Sequence, residues 1–535
     1  MSYGEGQRQH VRLDFDIVAR GIGHEFASGL PRDRHSVLVD PASWHAHMLA
    51  RRHPASAVRR EMWLAINRAP KAHVDVLDDL LATRAELASL VGRDSWAQVQ
   101  LEDKMAQSPE SVMAFLETLE RSNRPLVERE LGQLAKLKAV HEGGGASSSI
   151  EPWDRDFYTD VAAFSHHTLP DVSPFFSVGT CVQGLSTLFD RLYGIHFVLE
   201  QAAPGELWDP TVVRLGVYDD DDGRIGTMYA DLFARPGKAP GAAHYTVQCS
   251  RRLDDDDADA DFVAGAMDAR EYETLEERPV RLKSREGLWQ EPVIVLSCAF
   301  ARAEPALLQW HELETLVHET GHAMHSMVGR THYHNVSGTR CATDFVELPS
   351  VIMEHFVAAP DVLALFARHH KTGHPLPPEL IAPLVQSGRA FAGIEAATQL
   401  TMSALDQAYH SPLARDRSAF DSTAILADVS ARFSPFKQAA PRASWQTTFG
   451  HLFGYGASYY SYLFDRAIAA RIFRQRFSQD VLNRDAGDAF KRDVLSWGGG
   501  KDPWEMVGAM LKNDTVARGG EQAMREVGRW GIHDA

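Results

Sequence analysis

Apolar positions recur at helical spacing through most of the chain. Across 74–91, Leu77, Leu80, Leu81, Leu87 and Leu90 share one face, and Gly92 offers a left-handed stop. Ser108 followed by Pro109 and Glu110 reads as an N-cap with proline at the first helical position, and Val112, Phe115, Leu116 and Leu119 continue the stripe. Pro125 predicts the start of a third helix. Between about 212 and 296 the pattern changes. The stretches 212–218, 226–233, 244–249 and 293–298 are β-branched or aromatic-rich and bounded by Gly, Pro and Asp clusters, which predicts the short strands of a small antiparallel or mixed sheet. Helical spacing returns at Leu313, Leu316, Val317, Gly321 and Met324, bounded by Pro305 and Gly329. The prediction is a mainly α fold with one small sheet immediately ahead of this last helix, where an exposed strand edge would be placed to hold an extended peptide.

Bulk properties narrow the partners. A chain of 535 residues, 44 % hydrophobic and 24 % charged, buries a large core as one big or two intimately packed domains. A net charge of -17 excludes a nucleic-acid partner, which needs clustered Lys and Arg to neutralise phosphates. No apolar run is long enough to span a bilayer, and Cys181, Cys249, Cys298 and Cys341 are scattered without metal or redox spacing, as in a reducing compartment. The stretch 142–149 is Gly- and Ser-rich and reads as a flexible insertion. The acidic runs 219–222 and 254–257 read as solvated turns, since neither continues into a calcium loop.

The candidate chemistry sits on the last helix, at His318-Glu319-Thr320-Gly321-His322. Residues at i and i+4 share a helix face, so both imidazoles can reach one ion while Glu319 stands beside it. Two imidazoles suit zinc, and a catalytic zinc takes three protein ligands and leaves a position for water. Glu347 is the best candidate for the third. The alternative is a surface helix carrying two unrelated histidines out of 25.

The neighbouring motifs carry a resemblance. His318 to Met327, then Ser337-Gly338-Thr339-Arg340-Cys341 and Asp344-Phe345-Val346-Glu347-Leu348-Pro349-Ser350, look like the thimet oligopeptidase family of zinc metallopeptidases. Leu101 to Met105, Pro152-Trp153-Asp154-Arg155-Asp156, Leu232 to Lys238 and Gly498 to Trp504 extend the match. Within the family the chain is most similar to the mitochondrial branch that trims imported precursors. The resemblance implies a multi-helical zincin-like fold with a deep substrate channel, one Zn2+ per chain held by His318, His322 and Glu347, and Glu319 as general base. His451, Tyr455, Tyr459 and Tyr462 match the family's Gly-flanked segment that contacts substrate and stabilises the transition state; on spacing alone such an aromatic run is more often core packing. Asp344 either hydrogen-bonds a ligating imidazole or caps a helix. The expected organisation is a remnant of an amino-terminal helical region over 1–74 and a catalytic domain over 75–535, in a monomer acting on peptides or precursor proteins in the mitochondrial matrix. The opening residues carry no transit signature, so either the chain stays where it is made or its true amino terminus lies upstream. Alternatives are a general oligopeptidase degrading short peptides, and an inactive fragment or metal-free binding protein.

Overall fold

A computed structural model describes residues 10–143, 149–165, 170–254, 279–388, 390–436 and 443–533. Most of the expected insertion at 142–149, and of the acidic run 254–257, lies outside them. Contacts divide the chain into two units, Met1–Thr168 with Ser387–Leu463, and Leu169–Gln386 with Phe464–Ala535.

The first unit is built of long helices. Lys71–Leu90 ends just before Gly92, at φ 76°, but Leu87 and Leu90 are exposed, and the face it buries is Leu77, Leu81, Ala82, Ala85 and Ala88. Pro109–His141 opens on Ser108, whose side chain accepts the Ser111 N–H. Pro125 does not begin a new helix, because it lies inside this one. A proline there forfeits one backbone bond, and burial of Val127 and Leu134, with the hydrogen bonds that Asn123 and Glu130 make to the Gly393 backbone, offsets that loss. Glu130 accepts the N–H groups of Gly393 and Ile394 at 3.1 and 2.8 Å, joining this helix to Ala392–Tyr409. The Pro152-Trp153-Asp154 motif has a structural role: the fully buried Asp154 carboxylate pairs with Arg59 at 2.6 Å and Lys138 at 2.7 Å. Val11–Asp14, Ser36–Val39 and Arg32–Asp33 form an antiparallel sheet of three strands that the sequence pattern did not announce, being too short to show a period.

The second unit carries the predicted sheet, together with an edge strand, Ile195–Leu199, that the pattern did not predict. Its order is Ile195–Leu199, Val213–Asp219, Gly223–Phe233, Val293–Phe300, Ala243–Gln248, with Val293–Phe300 parallel to Gly223–Phe233 and the other pairs antiparallel. Ala243–Gln248 is an edge, as required for peptide pairing. The helix Trp310–Val328 follows the sheet directly. Glu312 fixes its start by accepting the Gln309 N–H at 2.8 Å, and Gly329 ends it. Its inner face, Leu313, Leu316, Val317, Ala323, Met324 and Met327, is buried. Among the described residues no single helix is long and apolar enough to cross a membrane; the bent pair Leu348–Val357 and Pro360–Phe366 reaches that hydropathy only jointly, across an 81° break, with most of its apolar side chains buried.

Candidate metal centre

Gly321 is what allows the third ligand to approach. A Cβ at this position would stand 2.5 Å from the Pro349 carbonyl oxygen and 2.6 Å from the Ser350 Cα, so Trp310–Val328 and Leu348–Val357 touch backbone to backbone there. Glu347 is the N-cap of the second helix. Its N–H donates to Asp465 at 3.0 Å and its carbonyl accepts the Ser350 hydroxyl at 2.8 Å, which leaves the carboxylate facing the histidines.

The three predicted ligands meet. Glu347 Oε2 lies 3.3 Å from His318 Nε2 and 3.2 Å from His322 Nε2, and the three ligand atoms all fall within 4.8 Å of one another. Donors about 2.0–2.2 Å from an ion in tetrahedral directions stand roughly 3.4 Å apart, so the spacing is that of a zinc-sized centre. The electrostatics agree. Burial opposes charging His318, but the carboxylates of Glu347 and Glu354 outweigh it and carry its pKa up to about 10, while the same imidazoles hold Glu347 well below the usual carboxylate range despite burial. Such a field calls for positive charge among these atoms.

Glu319 is raised above the ordinary carboxylate value by burial, with the two histidines opposing and Glu347 adding to the rise. A carboxylate easier to protonate than a free one is suited to accept and return a proton. On the edge strand, the His244 ring lies 6.2 Å from that of His322, and burial, then the His322 charge, lowers its pKa to about 3.

A further carboxylate, Glu354, lies 2.7 Å from His318 Nδ1. It lies two helical turns beyond Glu347, and that i+7 relation is the signal that was available. Asp344 is fully buried in the turn before Glu347. Its charge, after burial itself, helps push the Asp465 carboxyl upward. His322 Nδ1 is buried without a hydrogen-bond partner among the described residues. A second cluster of possible ligands, Asp190, His196 and Asp220, faces the Arg484 guanidinium, 3.7 Å from Asp220.

His451, Tyr455, Tyr459 and Tyr462 belong to the first unit, where they form one aromatic group. Tyr455 stacks on His451 at 5.5 Å, Tyr459 meets it edge-on at 4.9 Å, and the Tyr462 hydroxyl lies 3.4 Å from His451 Nε2. Burial lowers the His451 pKa, with the Asp406 charge opposing, which favours the neutral ring. Tyr455 is 48 % exposed, whereas Tyr459 is 7 % exposed and its hydroxyl donates to Gln399 at 2.6 Å. His451 also borders a cavity of about 660 Å3 lined by Trp63, Met402, Leu426, Trp445 and Phe449.

Comparison with known proteins agrees with this chemistry. A family model described as Peptidase family M3 matches residues 49–526. The chain is 44 % identical to mitochondrial intermediate peptidase 1 of Cryptococcus neoformans var. neoformans serotype D, over 97 % of this chain and 72 % of that one. It is 45 % identical to the mitochondrial intermediate peptidase of Laccaria bicolor, over 96 % and 66 % respectively. The solved structure of PZ peptidase A with inhibitor 2 has a similar fold, with a TM-score of 0.50 at 13 % identity over 92 % of this chain and 71 % of that one.

Proposed function

Because the chain belongs to peptidase family M3 and is a metallopeptidase, we propose that it holds one zinc ion through His318, His322 and Glu347 and removes short amino-terminal segments, octapeptides, from precursor proteins already cut once in the mitochondrial matrix. The observation that carries the reading is the convergence of two imidazole nitrogens and one carboxylate oxygen within 4.8 Å. That donor set, in a field that favours positive charge, fits the metal the family implies. When bound, the metal polarises the scissile carbonyl and brings the pKa of water to about 7.

The remaining steps belong to the chain's own residues. Glu319 takes a proton from the attacking water and later hands it to the leaving amine. The Glu354 carboxylate orients the His318 ring through Nδ1 and raises the basicity of Nε2. By the family resemblance, His451, Tyr455 and Tyr462 supply neutral donors to the substrate, and Tyr459 supports the His451 ring from the side. The edge strand Ala243–Gln248 pairs with the substrate backbone.

The relatives' printed name, mitochondrial intermediate peptidase, supports the substrate class. A once-cut precursor and a short unstructured peptide should be incubated with the enzyme, and the products read by mass spectrometry. Release of one defined octapeptide from the precursor supports the reading. Scattered cleavage of the short peptide with the precursor left intact would sink it in favour of a general oligopeptidase.

A further inference from the structure

We propose that Asp406 and Gln407 are positioning residues, a pair of side chains that clamp Ala457 in a left-handed backbone conformation and so set the orientation of His451, Tyr455 and Tyr459 around it. The inference rests on the reading that this aromatic group acts on substrate.

Ala457 is fully buried and sits at φ 68°, a region that residues with a Cβ seldom occupy. It follows Gly456, also at positive φ, 33°. Something must hold this turn. Asp406 Oδ1 accepts the Ala457 N–H at 2.8 Å and Oδ2 accepts the Tyr459 N–H at 3.0 Å. The next residue, Gln407, donates from Nε2 to the Ala457 carbonyl at 2.6 Å. Both polar groups of one backbone residue are therefore captured by consecutive side chains of the helix Ala392–Tyr409. Asp406 and Gln407 are themselves buried, 1 % and 4 % exposed, and cannot swing away with solvent.

A second layer fixes the other end of the segment. His410 Nδ1 lies 3.0 Å from Asp406 Oδ1, and its Nε2 lies 3.0 Å from Arg84 Nη1. Arg84 in turn donates to the carbonyls of Leu452 and Phe453, at the short helix His451–Gly454 that carries the histidine. The space where Gly456 would bear a Cβ is within 3.0–3.2 Å of Arg84 Nη1, His410 Nε2 and Trp96 Nε1, so the chain at 456 is pressed against the same cradle. Simple packing would ask only for volume under the loop. A charged acceptor spanning two amides specifies dihedral angles, which is what a group of donors aimed at a substrate requires.

The test compares Asp406→Asn, Gln407→Met and His451→Ala in the full chain, recording kcat, KM, metal content and unfolding temperature. Methionine keeps the length of Gln407 but removes the donor, leaving the buried Ala457 carbonyl unpaired at a cost of about 1–3 kcal/mol that the unfolding temperature records. In metal-loaded, folded enzyme, both clamp variants should lower kcat by about tenfold or more with KM changed by less than about twofold, because misorientation is felt in the transition state. In the His451→Ala background, Asp406→Asn should add less than about a twofold further loss. Parental kcat in folded Gln407→Met and Asp406→Asn overturns the clamp, as do losses that multiply fully with His451→Ala. Should Asp406→Asn not fold, Gln407→Met decides alone. If His451→Ala itself turns over like the parent, the reading of the aromatic group fails, and the clamp with it.

Discussion

At the scale of single residues, the proposed metal centre divides into groups that hold charge and a group that moves a proton. Glu319→Gln keeps the shape of the site but cannot accept a proton, so the variant should bind metal stoichiometrically and lose turnover by on the order of a thousandfold or more; retained turnover would show that the base is another residue. Glu354→Gln should weaken metal affinity by about 10–100-fold, the usual cost of losing the partner of a ligating histidine, and unchanged affinity in a chelator competition would remove that role. The raised His318 pKa also sets a direction with pH. With its pKa pushed up to about 10, the metal-free ring is protonated at pH 7, and that proton must leave before Nε2 can bind a cation. Apparent affinity should therefore rise with pH below that value, and calorimetry in buffers of different ionisation enthalpy should find proton release; binding independent of pH would contradict it. His318, His322 and Glu319 were legible because a fixed spacing on a helix carries the chemistry. Glu354 was not, since one carboxylate among many acquires meaning only once Glu347 is seen to cap the helix on which both lie.

At the scale of elements, the decisive contact is the approach of Trp310–Val328 to Leu348–Val357 at Gly321. Gly321→Ala would drive a methyl into the Pro349 carbonyl and the Ser350 Cα, which are backbone atoms and cannot rotate aside. The expected loss is about 1–3 kcal/mol of stability, together with weaker metal binding as Glu347 is displaced. Gly132→Ala is the contrast, because inside the helix Pro109–His141 a Cβ at that position meets nothing within 4 Å among the described residues. It should stabilise by about 0.5–1 kcal/mol through helix propensity. Denaturant titration of both distinguishes a clash from a general aversion to alanine; equal effects would contradict the contact. The same contrast explains what the hydrophobic pattern could reveal. Strands of six or more residues bounded by turn signals were visible, whereas Arg32–Asp33 and Ser36–Val39 are too short to show alternation. Pro125 misled because a proline is a boundary only on average, and burial along Pro109–His141 overrides it.

At the scale of the molecule, the question is how much of the fold depends on the metal. Each unit has an apolar interior independent of the three ligands, for example Leu77, Leu81, Leu405, Tyr409 and Phe449 in the first and Leu313, Leu316, Val317 and Ile352 in the second. Stripping the metal should therefore leave the helical circular dichroism nearly intact, unlike a small zinc module that unfolds without its ion. The discontinuous assembly of the units, with 387–463 returning to the first after a long excursion, has no counterpart in composition, since nothing in a local window records which distant segment it will pack against. Metal should still shift stability by mass action, because only the folded chain brings His318, His322 and Glu347 together. At free metal a thousandfold above Kd the gain is about 4 kcal/mol, which for a chain this large amounts to a few degrees. The shift should grow with the logarithm of metal concentration and should vanish in His322→Ala, which loses a ligand without disturbing the core. A melting temperature that rises equally in that variant would place the stabilising ion elsewhere, and the ligand assignment would have to be abandoned.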